Sequence, residues 1–370
     1  MKISILSNPG NRRGFGMTDI PEGHPCPPVL GLFQKRIEGD DALLRLAKLR
    51  FEEAGLGAEF HAGTTDELDH LLGFRPATPL PSVAHLPRWI DIFDNNHRQL
   101  IMEFAQSSKD RIFGLVVHDQ EGADSRMDDY ISLLRGIDSW LQETGGPFIF
   151  IEYAHGLDPD VFCNLFEKIQ DLDRISCCVD IGHLAIRQVR EVFGRSHPGL
   201  DVCSLGPDTP ELPHLMDDLQ AAAHAVPAMA LEVIARLCHI GKRIHFHLHD
   251  GHPLSTASPF GVSDHLSFSA RIPLPFAYRG RYSLGPIFGP AGLAEIVRLS
   301  LRLLGSEKVT FSIEVHPEGG SLPLGEASNL FRRWTDRGNA ERMNHWLRLL
   351  QENGRLVQKI CKEGTTLETA

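Results

Sequence analysis

The sequence lacks a cysteine framework. Its seven cysteines, at 26, 163, 177, 178, 203, 238 and 361, are odd in number and form no CxxC pair. That excludes a disulfide scaffold and reads as reduced thiols of a cytoplasmic protein. An excess of positive charge is also missing. A formal net charge of −11 leaves no basic footprint and counts against nucleic acid as the main partner. The opening Met1-Lys-Ile-Ser-Ile-Leu has too short an apolar stretch for a signal peptide, and no run approaches the length that spans a bilayer. The expectation is a soluble chain without membrane contact. There is no internal repeat and no low-complexity stretch. What the chain does have is a 42% apolar fraction over 370 residues, ample for a core, and 19 histidines. That histidine content favours metal or proton chemistry.

Strand and helix signals alternate throughout. Strands are expected near 2–7, 58–62, 82–86, 112–118, 148–153, 175–181, 243–249 and 309–315, the second being weak. Helical periodicity fills 41–54, 65–72, 95–108, 128–143, 158–172, a split segment within 184–240, and 290–304. Asp158-Pro-Asp and Gly289-Pro-Ala place proline in a first helical turn, and Asp94-Asn-Asn supplies a cap. Eight strands with intervening helices predict an α/β (β/α)8 TIM barrel over residues 1–317. Helices at 324–337 and 339–353 then form a C-terminal extension over 318–370, with a polar tail after Lys362. Three long βα connections, 8–40, 194–229 and 251–286, would rise over the barrel mouth, where such loops shape a substrate pocket or a contact between copies in a homo-oligomer. The last carries Arg271, Arg279 and Arg281, which either grip an anionic group or solvate an insertion.

Four of the expected strands end on metal-binding side chains: Phe148-Ile-Phe-Ile-Glu152, Cys178-Val-Asp180-Ile-Gly-His183, His245-Phe-His247-Leu-His249-Asp250 and Phe311-Ser-Ile-Glu314-Val-His316. Side chains alternate along a strand, so His245, His247 and His249 share one face opposite Phe246 and Leu248. Thr310, Ser312, Glu314 and His316 likewise oppose Val309, Phe311, Ile313 and Val315. For any one of these residues the ordinary reading, a satisfied core histidine or strand-end acid, is the stronger. Across four strands in order it loses, because burying that many charges without a cation is prohibitively costly.

Glu152, Asp180, His247 and Glu314 make an oxygen-rich donor set with one nitrogen, suited to one Mn²⁺, Mg²⁺, Co²⁺ or Zn²⁺ ion. Glu152 and Glu314 could remove and return a proton on a chelated sugar or cyclitol. His85, at the end of Ser82-Val-Ala-His85, His118, at the end of Leu115-Val-Val-His118, and His183 either hold substrate hydroxyls or complete a multinuclear zinc site that activates water. His249 and Asp250 are candidates for the same two uses.

The Glu152, Asp180-Ile-Gly-His183, His247-Leu-His-Asp250 and Glu314 stretches resemble the signature of the xylose isomerase-like TIM-barrel superfamily, which includes sugar isomerases and epimerases, inosose dehydratases and the endonuclease IV branch. The resemblance covers about residues 80–317 and lies in the order and strand placement of the ligands. It implies metal binding by Glu152, Asp180, His247 and Glu314, an acid–base role for the two glutamates, and a substrate contact at His183. Xylose isomerase follows its glutamate with Lys-Pro, whereas this chain has Glu152-Tyr-Ala-His155. His85, His118 and His183 match three zinc ligands of endonuclease IV. The Asp-x-His of that branch is less well matched: Asp250-Gly-His252 falls too early, Asp264-His265 lacks the spacer, and Arg281 stands where a later histidine is expected. The leading expectation is therefore a metal-dependent sugar or sugar-phosphate isomerase, epimerase or dehydratase. An endonuclease IV-like phosphodiester hydrolase comes second, and a non-catalytic accessory barrel third. Intact Glu152 and Glu314 speak against the third.

Overall fold

The computed structural model describes residues 26–33, 39–154, 156–202, 210–251, 265–269, 277–278, 281–282, 286–315 and 340–367. Eight parallel strands close a barrel: β1 (Val29–Phe33), β2 (Gly57–His61), β3 (Ser82–His85), β4 (Gly114–His118), β5 (Phe148–Glu152), β6 (Ile175–Asp180), β7 (Ile244–Leu248) and β10 (Val309–Ile313). A two-residue hairpin pair, β8 (Ala277–Tyr278) and β9 (Arg281–Tyr282), stands apart from it. The helices between barrel strands are α1 (Asp41–Ala54), α2 (Thr65–Leu72), α3 (Asn95–Ser107), α4 (Met127–Thr144), α5 (Pro159–Lys168), α6 (Ile181–Ser196), α7 (Leu212–His239) and α8 (Gly289–Leu304). The fold is a TIM barrel.

Local chemistry sets these boundaries. Asp40 caps α1 by accepting from the backbone N–H of Ala42 and Leu43, Thr64 caps α2 through Glu67, and Asp94 caps α3 through Asn96 and His97. The outward strand faces are apolar and lie under the helices, as where Phe33 meets Phe51 of α1 and Phe60 of β2 at ring-centroid distances of 4.9 and 4.8 Å. Inside the barrel Leu30, Val83, Phe113, Val116, Phe150 and Cys178 form a separate apolar cluster. That plug fills the interior below the polar residues, so the barrel is a packed core with a polar mouth. The six described cysteines are all buried and none of them forms a disulfide with another, and burial pushes the Cys163 and Cys238 thiols up to about 12.

Three sequence expectations require correction. The first barrel strand is Val29–Phe33, not 2–7, which lies outside the described residues along with most of the 8–40 connection. Pro27 and Pro28 and a run lacking any polar strand-end residue made Val29–Phe33 look like loop. The Asn339–Asn353 helix runs on from Ala340 to Leu367, past Gly354 and Lys362; the 324–337 helix lies outside the described residues. Finally, His214–His239 within α7 is long and apolar enough to cross a membrane by composition, although no such run was expected. It contains Pro227 and packs against α5, α6 and α8 as one of the barrel's covering helices.

The C-terminal helix, Ala340–Leu367, packs on α1, α8, β1 and β10. Trp346 is buried and its Nε1 donates to the Val315 carbonyl at 2.7 Å, directly beyond Glu314. Gly354 sits where this helix passes closest to Leu56: a Cβ there would lie 2.6 Å from Leu56 Cδ2 and 3.3 Å from its Cγ. Helix propensity alone would make Gly354→Ala stabilising by about 1 kcal/mol. Overpacking costs about 1–3 kcal/mol and should win. We expect a net loss of stability in urea unfolding; a gain would mean the helix does not pack on Leu56 as described.

Candidate metal centre

The strand alternation brings the four ligands expected from sequence to one place. The ligating atoms of Glu152, Asp180, His247 and Glu314 lie within 4.8 Å of one another, and all four residues are buried. Asp180 and His247 are register partners on adjacent strands β6 and β7, and Ser312, two residues before Glu314, pairs with His247 from the other side. His247 Nδ1 is 2.8 Å from Glu152 Oε1 and 3.1 Å from Glu314 Oε2. Burial by itself raises the carboxyls of Glu152 and Glu314. The surrounding imidazoles, His247 foremost, outweigh it and hold both well below the usual range.

Two further groups share these carboxylates. On one side, His85 Nε2 and His118 Nε2 approach the second oxygen of Glu152, Oε2, at 2.9 and 3.0 Å. On the other, Asp180 and Glu314 join His249 and His265, again within 4.8 Å. His249 Nε2 lies 2.8 and 2.9 Å from the two Asp180 oxygens, and His265 Nε2 lies 3.4 Å from Glu314 Oε1.

The tautomers explain why this arrangement suits cations. His85 Nδ1 lies 2.9 Å from the Leu86 carbonyl and His249 Nδ1 lies 3.2 Å from the Asp250 carbonyl, contacts that place the ring proton on Nδ1. In the neutral ring Nε2 is then a lone pair facing a carboxylate at under 3 Å, two acceptors with nothing to share. A proton or a metal ion must sit between them. The donor set fits metal: Glu152, Asp180 and Glu314 are three buried carboxylates among imidazole nitrogens that can give up a proton to an ion.

His183 and Asp250 depart from the simple picture. Helix α6 starts immediately after Asp180, whose carboxylate caps it by accepting the His183 N–H at 2.7 Å, so Gly182 and His183 lie in its first turn. His183 Nδ1 lies 3.6 Å from Asp180 Oδ2, and neither ring nitrogen makes a hydrogen bond. Asp250 was expected to bind substrate or a second metal. Its carboxylate instead accepts three backbone N–H groups, from Gly251 at 2.8 Å, Phe288 at 3.0 Å and Gly289 at 2.7 Å, and so anchors the start of α8. Arg271, Arg279 and His316 lie outside the described residues, as does the side chain of Arg281.

Sequence reasoning missed three contributors, Glu59, His61 and Asp119, and set a fourth, His265, aside. Glu59, at the centre of the weak strand Gly57-Ala-Glu-Phe-His61, is fully buried against His245 and His247. A lone carboxylate inside an apolar strand was the available signal. His61 stacks on His85 with ring centroids 4.2 Å apart. Asp119 follows β4 and takes the backbone N–H groups of Ala154, Gly156 and Leu157, fixing the chain just beyond Glu152. His265 lies past a long loop and was discounted because Asp264-His265 lacks the spacer of an Asp-x-His, yet it joins Asp180, His249 and Glu314. It adopts a left-handed φ of 48°, a strained conformation for a non-glycine residue. It is held by Leu266 pairing with Asp250 and by Asn353 of the C-terminal helix, whose Oδ1 accepts the Phe268 N–H at 2.9 Å.

Gly182 makes room for one of these ligands. A Cβ there would meet His249 Cε1 at 2.0 Å, so Gly182→Ala must displace the His249 ring from Asp180. We expect a loss of about 1–3 kcal/mol, and near-additivity should fail in a double-mutant cycle, with Gly182→Ala costing much less in a His249→Ala background. Equal costs in both backgrounds would contradict the contact.

No family model matches the chain, and no curated protein matches it. Among solved structures, the endo-beta-1,4-mannanase from Thermotoga petrophila aligns over 86% of this chain and 78% of its own at 8% identity and a TM-score of 0.44. The carboxyl transferase domain of Rhizobium etli pyruvate carboxylase with pyruvate aligns over 94% of this chain and 51% of its own, at 13% identity and a TM-score of 0.37.

Proposed function

We propose that this chain is a divalent-metal-dependent enzyme that hydrolyses a phosphoester, with Glu152 serving two metal positions. The observation that carries this reading is the division of one carboxylate. Oε1 faces His247 and the Asp180–Glu314 group, while Oε2 faces His85 and His118. The chemistry such ions supply when bound is Lewis acidity toward a phosphoryl oxygen and a water of lowered pKa. The residues of the chain do the rest. Asp119 fixes the segment after Glu152, and Asp180 holds the first turn of α6 so that His183 lines the cavity with no hydrogen bond of its own to break. The cavity, about 730 Å³, also carries Arg88 and Trp89 at its mouth, both exposed. They offer a cation for an anionic group and an aromatic face for an attached ring.

A second reading is the sugar or sugar-phosphate isomerase, epimerase or dehydratase expected from sequence. Glu152 and Glu314 both approach His247 Nδ1, from widely separated strands, which suits an acid–base pair on a chelated substrate. Against it stands the same Oε2 atom: with two imidazoles on it, that oxygen is engaged rather than offered to a C–H bond.

The test combines metal analysis with two assays. The purified, metal-loaded chain should hold at least about two ions and hydrolyse bis(4-nitrophenyl) phosphate. His118→Ala removes an Oε2 partner alone, so it should lower the stoichiometry by about one ion and slow hydrolysis at least the roughly 10–100-fold that losing a supporting group costs. A single ion, unaltered in His118→Ala, together with solvent deuterium entering a ketose or cyclitol, would replace the hydrolase with the isomerase reading. In that case Glu314→Gln should abolish the exchange.

A further inference from the structure

Beneath the mouth lies a carboxylate that neither reading uses. Glu59 projects from the middle of β2 into the barrel interior, is fully buried, and touches two imidazoles of β7 on the opposite side of the barrel. Its Oε1 lies 2.9 Å from His247 Nε2 and its Oε2 lies 3.0 Å from His245 Nε2. His245 is itself fully buried, and its other nitrogen, Nδ1, has no hydrogen-bond partner.

We infer that Glu59 is the positioning residue of the metal centre: it accepts from His247 Nε2, so that Nδ1 is the nitrogen left to bind an ion held by Glu152, Asp180 and Glu314. A carboxylate oxygen only accepts, so an imidazole nitrogen facing it must donate unless an ion lies between them. His247 Nε2 faces Glu59, which belongs to none of the groups that could hold an ion, so Nε2 donates. Nδ1 faces Glu152 Oε1 at 2.8 Å and Glu314 Oε2 at 3.1 Å, within a group that could hold one, and is the nitrogen that can exchange its proton for a cation. His245 acts as the second anchor. By donating from Nε2 to the other oxygen of Glu59, it holds the carboxylate in the plane that reaches His247, a role that also explains why its Nδ1 can remain unpaired. The negative charge of Glu59 further raises the basicity of His247 as a ligand, the general effect of an outer carboxylate on a metal-bound imidazole. The alternation along β7 requires this layering. His245 and His247 are two residues apart on one face, so the deeper ring supports the carboxylate that orients the shallower one.

The inference rests on the centre binding metal, and its test separates the two. In the Cd²⁺-loaded wild-type chain, ¹⁵N-histidine NMR should show the His247 proton on Nε2 and the metal on Nδ1. That measurement needs no activity, and a chain that takes up no Cd²⁺ would instead count against the proposed function, so the two failures are distinguishable. In Co²⁺ titrations followed by d–d absorption, Glu59→Gln should weaken binding about 10–100-fold. Gln at 59 must donate to one of the two rings, so the NMR should also show His245 or His247 moving its proton to Nδ1. His245→Gln leaves the Glu59–His247 pair in place and should weaken Co²⁺ binding far less than Glu59→Gln. Finding the metal on His247 Nε2 in the loaded wild-type chain would overturn the inference even if every variant failed to fold. Co²⁺ affinity within about threefold of wild type in folded Glu59→Gln, well short of the 10–100-fold loss, would overturn it too.

Discussion

Four carboxylates, Glu59, Glu152, Asp180 and Glu314, are withdrawn from water at one end of a closed barrel, and the rest of the site is organised around their charge. An ionised carboxylate in such a place is tolerated only when it is paired. The chain supplies imidazoles on every side: His245 and His247 for Glu59, His85, His118 and His247 for Glu152, His249 for Asp180, and His265 and His247 for Glu314. Imidazoles whose remaining nitrogen is committed to a backbone carbonyl, as in His85 and His249, have a lone pair to give. Acids and bases of this kind are stable together around cations, and a barrel mouth is where they can also meet a substrate.

The closed barrel makes the arrangement rigid. Glu152, Asp180 and His247 stand on the hydrogen-bonded strands β5, β6 and β7, and Glu314 directly follows β10, which pairs with β7, so moving one means shearing the sheet. Loop-borne parts are tied down separately: Asp119 grips the segment after Glu152, Asp250 holds the start of α8, and Asn353 reaches from the C-terminal helix to the strained segment that presents His265. The C-terminal helix thereby supports the site as well as the barrel wall, since Trp346 also binds the carbonyl of Val315 next to Glu314.

The barrel and the convergence of Glu152, Asp180, His247 and Glu314 were legible because both follow from local rules. Period-2 alternation fixes which side chains face inward, and a charged residue ending an apolar strand stands out. What escaped was non-local or locally ambiguous. Val29–Phe33 carries no polar marker and sits behind two prolines. Glu59 belongs to the weakest strand, and its partners lie 186 and 188 residues away. Asp250 looks from sequence like any strand-end ligand; only the distant backbone of Phe288 and Gly289 shows that its oxygens are taken. His265 depends on an anchor 85 residues on, between Phe268 and Asn353, which no motif spacing encodes.

The central claim is that the two oxygens of Glu152 face two different cation positions. Anomalous scattering from crystals of the Mn²⁺- or Zn²⁺-loaded chain addresses it directly. The account predicts two peaks about 3.5–4 Å apart, the spacing of two-metal sites, one beside His247 and Glu314 and the other beside His85 and His118. A single peak among Glu152, Asp180, His247 and Glu314, with His85 and His118 still bonded to Oε2, would contradict it.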